Sequence, residues 1–279
     1  MVETYMPKSL REALDLLEFK DCTIFAGGTD LMVRKKQWAG LPSSFDVPVV
    51  YISEIKELRE IKRDEGHLYI GAACTFSELI ESSLIPDFYK SVFVEMASPA
   101  IRNSATIGGN ICNASPAGDC LPLLYALGAS LVIESGCRKY EAAIEDFITG
   151  PGKIILKAGE LVTQIKIPEK DFNIKKYRKV GARKSTALSK LSFVGLADMD
   201  DKGLHDIRIA FGAVSPTVVR NREIEEEIIS MRNAGFLDIQ EIKSYYDALI
   251  KPINDQRSTA YYRKACCKRL LEDFLIGIL

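Results

Sequence analysis

Two glycine doublets are the residues of this chain whose types and spacing best suit chemistry. The first lies in Ala26-Gly27-Gly28-Thr29-Asp30 and the second in Thr106-Ile107-Gly108-Gly109-Asn110. Glycine lets the backbone approach a ligand with no Cβ in the way. Consecutive N–H groups can then converge on a phosphate, and a following helix start adds its dipole. Thr29, Thr106 and Asn110 supply neutral hydrogen-bonding side chains, and Asp119 follows the second doublet beyond Ser115, Pro116 and Gly118. Each motif alone also reads as a tight turn, the first with Asp30 as the N-cap of a helix. Taken together, two uncharged Gly-Gly segments fit a pyrophosphate held between two backbone nests with few cations. Neither is GxGxxG or GxxxxGK, so the Rossmann and P-loop fingerprints do not apply.

The other reactive residue types point away from several chemistries. The seven cysteines (22, 74, 112, 120, 137, 266 and 267) contain no CxxC pair. An iron–sulfur cluster or zinc ion held by this chain alone is therefore not expected. Their odd number and irregular spacing suit a reducing cytoplasm. Cys112 and Cys120, beside the second loop, read as small buried hydrophobes. His67 and His205 belong to no HExxH or triad pattern. Lys179, Arg183 and Lys184 form a small basic cluster that reads as surface charge. Of 279 residues, 47% are apolar and 27% charged, which is globular composition. Lys plus Arg is 37 against 38 for Asp plus Glu, a net charge of −1. That balance gives no electrostatic footprint for nucleic acid or an anionic membrane. The longest uncharged apolar-rich stretch, Cys120–Ile133, is too short and broken to span a bilayer, and the charged N-terminal stretch has no apolar signal core.

These residues need elements to position them. Ser9-Leu10-Arg11-Glu12 reads as a capping box opening a helix over about 10–19, with Leu10, Ala13, Leu14 and Leu17 on one face. Residues 23–26 and 49–52 read as buried strands on either side of the first doublet. Residues 58–63 and 67–73 flank Asp64-Glu65-Gly66 as a hairpin, and Thr75 to Glu78 is a second capping box. A helix is expected over 87–98, an ordered polar loop over 103–119, a helix near 120–127 and strands near 129–135 and 161–167. A charged hinge at 169–175 precedes a strand (176–182), a hairpin (192–199 and 204–213) and three helices near 221–232, 238–250 and 257–276. His205, Ile207, Ile209 and Phe211 alternate with Asp206, Arg208 and Ala210, as a half-buried strand should. The architecture is α+β in two parts, about 1–170 and 171–279.

The ordered set AGGTDL (26–31), TIGGNICNASPAGD (106–119), TGPGK (149–153), GELVTQIKIP (159–168) and YRKVGARKSTALS (177–189) resembles the flavoprotein subunit of the molybdenum hydroxylases. That family includes xanthine dehydrogenase, nicotinate dehydrogenase, aerobic carbon monoxide dehydrogenase and aldehyde oxidoreductases. The resemblance covers essentially the whole chain, and its style is that of the xanthine dehydrogenase FAD subunit. It implies a vanillyl-alcohol-oxidase-type (PCMH-like) FAD-binding domain over 1–170, in subdomains of about 1–55 and 56–170. A flavoprotein C-terminal domain of three antiparallel strands plus helices would follow over 171–279.

The resemblance also assigns residues. Thr23, Ile24, Phe25, Ala26, Gly27, Gly28, Thr29 and Asp30, with Thr106, Ile107, Gly108, Gly109 and Asn110, would clasp the FAD pyrophosphate and neighbouring groups. Asp119 would help to hold the cofactor through polar contacts, Leu161 and Val162 would pack near it, and Lys179 would reach the flavin. Met96 stands where some members place an aromatic residue against the cofactor. FAD would be non-covalent, since neither doublet segment contains a His. No catalytic acid or base and no metal ligand is expected in this chain. A molybdopterin-binding large subunit and a small [2Fe–2S] subunit would be its partners, in a cytoplasmic dimer of heterotrimers with no nucleic-acid partner and no membrane insertion. Electrons would leave to NAD⁺ or another acceptor during hydroxylation of a purine or related N-heterocycle. Nicotinate, aldehyde or carbon monoxide oxidation is the alternative within the family. A self-contained FAD oxidoreductase of the same fold is the alternative outside it, and TGPGK and YRKVGARKS argue against that.

Overall fold

The structure is a computed structural model that describes residues 2–38, 40–184 and 186–279. Ser185, within the YRKVGARKSTALS motif, lies outside the described residues. The chain divides into two compact units that do not follow chain order. One comprises residues up to Pro86, Ser98–Ala114 and Ala129–Pro168, and the other Asp87–Ala97, Ser115–Gly128 and Glu169–Leu279.

The first unit begins with β1 (Thr4–Tyr5), α1 (Leu10–Phe19), β2 (Thr23–Phe25), α2 (Leu31–Arg34) and β3 (Val49–Tyr51). These strands form a parallel sheet in the order β1-β3-β2, with Ile24 opposite Val50. Ser9 caps α1 by accepting the Glu12 N–H, while the Glu12 carboxylate reaches back to the Lys8 N–H. Ala13, Leu14 and Leu17 of α1 pack on Val50, Ile52, Ile55, Leu58, Ala73 and Leu161 as one core.

A one-turn 3-10 helix (Lys56–Arg59) leads to β4 (Ile61–Asp64) and β5 (His67–Gly71). The first strand of the hairpin thus starts three residues later than the pattern predicts, because Leu58 is used in the core below. Glu65 and Gly66 have φ of 46° and 73°, the left-handed pair that a two-residue hairpin turn requires. α3 (Phe76–Glu81) starts with the full Thr75–Glu78 capping box. Next come α4 (Asp87–Val94), which ends short of the expected 98, α5 (Pro99–Arg102), α6 (Ile107–Asn113) and α7 (Leu121–Leu127). The predicted loop over 103–119 therefore contains a two-turn helix: Thr106 caps it and outweighs the low propensity of Gly108 and Gly109. β6 (Ser130–Glu134), β7 (Lys139–Ala143), α8 (Ile144–Phe147), the small β8 (Ile148–Gly150) and β9 (Lys153–Ile154) pair, and β10 (Leu161–Pro168) complete this part of the chain. The larger sheet is antiparallel in the order β4-β5-β10-β6-β7.

The second unit is built on β11 (Ile174–Val180), β12 (Leu191–Asp200) and β13 (Gly203–Gly212), an antiparallel meander followed by α9 (Arg222–Asn233), α10 (Ile239–Leu249) and α11 (Ala260–Ile276). At its centre Phe193 packs tilted on Phe211 and edge-on to Phe274, and Phe211 packs edge-on to Tyr246. A register shift beside Asp198 and Met199 leaves His205 bulged and exposed and puts Leu204 in the core instead. Ala210 is buried as well, because α7 packs on β12 and β13. All seven residues of α7 are buried. Its last carbonyls are held by two arginines: Arg220 reaches Tyr125 O at 2.6 Å and Arg208 reaches Ala126 O at 3.1 Å. Positive charge at a helix C-terminus complements the dipole there.

Candidate functional site

The first doublet sits where edge strand β2 gives way to α2. Phe25 lies under the turn, its ring 4.7 Å from that of Tyr51. Gly28 has a φ of +69°, and a Cβ there would stand 2.7 Å from Phe25 Cε1 and closer still to Cζ. A Cβ on Gly27 would fall inside the Ser104 carbonyl, so Gly27 lets the turn lie directly on the segment that leads into the second doublet. Ile24 and Ala26 pack on the α1 core. The backbone bonds around the turn run from Thr23 N–H to Pro48, from Ile52 N–H to Phe25 and from Met32 N–H to Gly28. Among the described residues, none accepts the N–H groups of Ala26, Gly27, Gly28 or Thr29. These residues are half-buried, where an unpartnered donor is costly. A run of N–H groups without acceptors in a turn leaves donors that an anion can take. Asp30 precedes α2 but makes no capping bond, since its αR backbone is not the extended one a cap needs. With a single turn, α2 adds little dipole.

The second doublet differs from the expectation of a matching nest. Thr106 accepts the Gly109 N–H at 3.1 Å, and its carbonyl takes the Asn110 N–H. Ile107 N–H goes to Cys74 O and Gly108 N–H to Ala72 O. Each of these donors is thus spent inside the chain. Gly108 is buried, and a Cβ on it would lie 2.6 Å from Ala72 O. Its missing side chain serves the fit of α6 against residues 72–74. Gly109 is exposed, and a Cβ there would meet only Thr106 Oγ1, at 2.8 Å. Ser104, just before the second doublet, lies against Gly27, while Gly109 is exposed and Asn110 half-buried. Arg34 of α2 donates to Asn113 Oδ1 at the far end of α6. Leu161 belongs to the α1 core and Val162 is equally buried, so both side chains are used in packing.

Asp119 and Lys179 lie in the second unit. Lys179 Nζ is 2.7 Å from Asp119 Oδ2 and 2.8 Å from the Glu95 carbonyl oxygen. Ser189 donates to Asp119 Oδ1. Lys179 is therefore a buried cation with a fixed partner and not the solvated charge that its sequence context suggests. Tyr177 lies two residues earlier on the same face of β11. Its hydroxyl is buried with no hydrogen-bond partner among the described residues. Burial, then the charge of Asp119, pushes that hydroxyl well above the usual tyrosine range. Glu95, which acts through its main-chain carbonyl, carries no sequence signal; Tyr177 and Ser189 stand at the two ends of the YRKVGARKSTALS motif, but nothing in the motif assigns either a role. Met96 is buried in this unit.

Burial pushes the Cys112 and Cys74 thiols up to about 12 and raises Cys120 too, so none of these offers a thiolate at neutral pH. Among the described residues, no group of three or more His, Cys, Asp or Glu is placed to hold a metal ion. No helix among them is long and apolar enough to cross a membrane.

A half-buried turn with a run of unaccepted N–H groups has room to receive an anionic group. Residues 1–170 match the FAD binding domain in molybdopterin dehydrogenase, and residues 176–278 match the CO dehydrogenase flavoprotein C-terminal domain. The chain belongs to the FAD-binding, medium-subunit family of the molybdenum hydroxylases, which are oxidoreductases. It is 31% identical to the glyceraldehyde dehydrogenase medium chain of Sulfolobus acidocaldarius over 94% of this chain and 93% of that one. It is 28% identical to the xanthine dehydrogenase FAD-binding subunit of Escherichia coli O157:H7, over 90% and 85%. The fold matches carbon monoxide dehydrogenase from Hydrogenophaga pseudoflava with a TM-score of 0.87 and 24% identity, covering 99% of this chain and 96% of that one.

Proposed function

We propose that the chain holds one non-covalent FAD and relays electrons from [2Fe–2S] clusters on a small partner subunit to NAD⁺ or another acceptor. A molybdopterin-binding large subunit would hydroxylate the substrate, with a purine such as xanthine first in order and nicotinate second. The assembly would be a cytoplasmic dimer of heterotrimers. The observation that carries the reading is the run of unaccepted N–H groups from Ala26 to Thr29. Those donors would take the diphosphate oxygens, with the Thr29 hydroxyl beside them. Thr23, Ile24 and Phe25 fix the turn from below, and Asp30 ends it. Thr106, Ile107, Gly108, Gly109 and Asn110 would contribute through the support of Gly27 and the surface of Gly109. Asp119 and Lys179 would meet cofactor polar groups, and Leu161 and Val162 would stiffen the unit that carries the turn. Bound FAD would supply the redox chemistry; this chain supplies position, charge and exclusion of water.

The experiment is simple. The purified full chain should be yellow, with FAD at one per chain, and acid precipitation should release all of the flavin. NADH should bleach the bound flavin if NAD⁺ is the acceptor. A folded chain that takes up no FAD would refute the cofactor reading, and colour kept in the acid pellet would refute the non-covalent one.

A further inference from the structure

An ammonium group has three hydrogens to donate. Lys179 gives one to Asp119 Oδ2 at 2.7 Å and one to the Glu95 carbonyl at 2.8 Å. Among the described residues, none accepts the third. The Lys179 side chain is only 7% exposed, so that hydrogen is largely shut off from solvent. A buried charged donor left unshared is costly, which marks it as a donor reserved for a ligand acceptor.

The direction of that hydrogen depends on the other two, and they depend on Asp119. The carboxylate is held at both ends, Oδ2 by Lys179 and Oδ1 by the Ser189 hydroxyl. Ser189 is 1% exposed. Its place is set next to the bond from Lys190 N–H to Val180 O, which closes the end of β11 onto β12. If Oδ1 lost its donor, the carboxylate could turn and take a second Lys179 hydrogen.

We propose that Ser189 is a positioning residue: by occupying Asp119 Oδ1 it keeps the third Lys179 hydrogen free for an acceptor atom of the ligand. This rests on the reading above that the ligand is FAD and that Lys179 meets its redox-active ring. A donor next to that ring favours its reduced, more electron-rich form.

The test uses the full chain loaded with FAD. Ser189→Ala, Ser189→Thr and Lys179→Met are compared with wild type for FAD affinity, flavin midpoint potential and apo melting temperature. Ser189→Ala should bind reduced flavin about tenfold less well relative to oxidised flavin, a potential about 30 mV lower for two electrons. Lys179→Met should lower it at least as far, and Ser189→Thr, which keeps the hydroxyl, should restore it. A shift with Lys179→Met but none with Ser189→Ala would overturn the role of Ser189 and leave the FAD reading intact. An unchanged potential in Lys179→Met would overturn the reading that Lys179 meets the flavin, and this proposal with it. If Ser189→Ala lowers only the apo melting temperature, Ser189 is purely structural and the proposal fails. Where Lys179→Met does not fold, the double variant Asp119→Asn/Lys179→Met removes both buried charges and serves in its place.

Discussion

Replacing Gly28 with alanine probes the open N–H run directly. Gly28 has a φ of +69°, and its Cβ would press into the Phe25 ring. Holding alanine in the left-handed region costs about 1–2 kcal/mol. The ring contact adds to this unless the backbone escapes by turning the peptide. Turning it swings the Gly28 and Thr29 N–H groups out of the run. Losing two charge-assisted hydrogen bonds at about 1.5–3 kcal/mol each weakens FAD binding by about 10²–10⁴-fold. Gly66 provides the control. It has a φ of +73° in the β4–β5 turn, and a Cβ there would meet nothing within 4 Å. Gly66→Ala thus carries the backbone strain without touching the site. The assay is FAD titration by quenching of flavin fluorescence, beside thermal melts of the apo proteins. Both variants should melt below wild type, and only Gly28→Ala should lose FAD. Wild-type FAD affinity in a folded Gly28→Ala protein would show that the diphosphate is not held by these N–H groups.

The two positions of the second doublet should separate. Gly108→Ala should destabilise the apo protein by about 1–3 kcal/mol through overpacking on Ala72, while Gly109→Ala should melt near wild type, because the gain in helix propensity offsets strain on the Thr106 cap; equal melts would refute the division of roles. The Glu160 carboxylate is buried, yet the Lys157 N–H, Arg138 and Tyr140 outweigh that burial and hold it below its usual 4.5. Its stabilisation is present above that value and lost as pH falls through the lower folded one, so melting temperature between about pH 5 and pH 3 should fall less steeply in Glu160→Gln than in wild type. Tyr177→Phe removes a buried hydroxyl with no partner among the described residues and should leave the apo melting temperature level or raise it, whereas a loss of more than about 1 kcal/mol in a chemical melt would reveal a hydrogen bond there.

Much of the local structure was legible in the sequence because its causes are local. Ser9 and Thr75 start helices with side chains that reach three residues along the chain, and Asp64-Glu65-Gly66 turns a hairpin because only two φ values must be positive. The two doublets and their order along the chain carried the family resemblance in the same way. Which of the doublets offers free donors is a tertiary decision. Ala72 and Cys74 are more than thirty residues from Gly108, and only the fold brings their carbonyls to α6 and closes the second nest, while none of the described residues accepts the N–H groups of Gly27 and Gly28. The same holds for Lys179, whose charge reads as solvated in sequence but is buried against Asp119, sixty residues away. The allocation of 87–97 and 115–128 to the second unit is equally invisible in the pattern. A hydrophobic helix such as α7 specifies that it must be buried; whether β12 and β13 or another sheet buries it depends on contacts that no sequence period encodes.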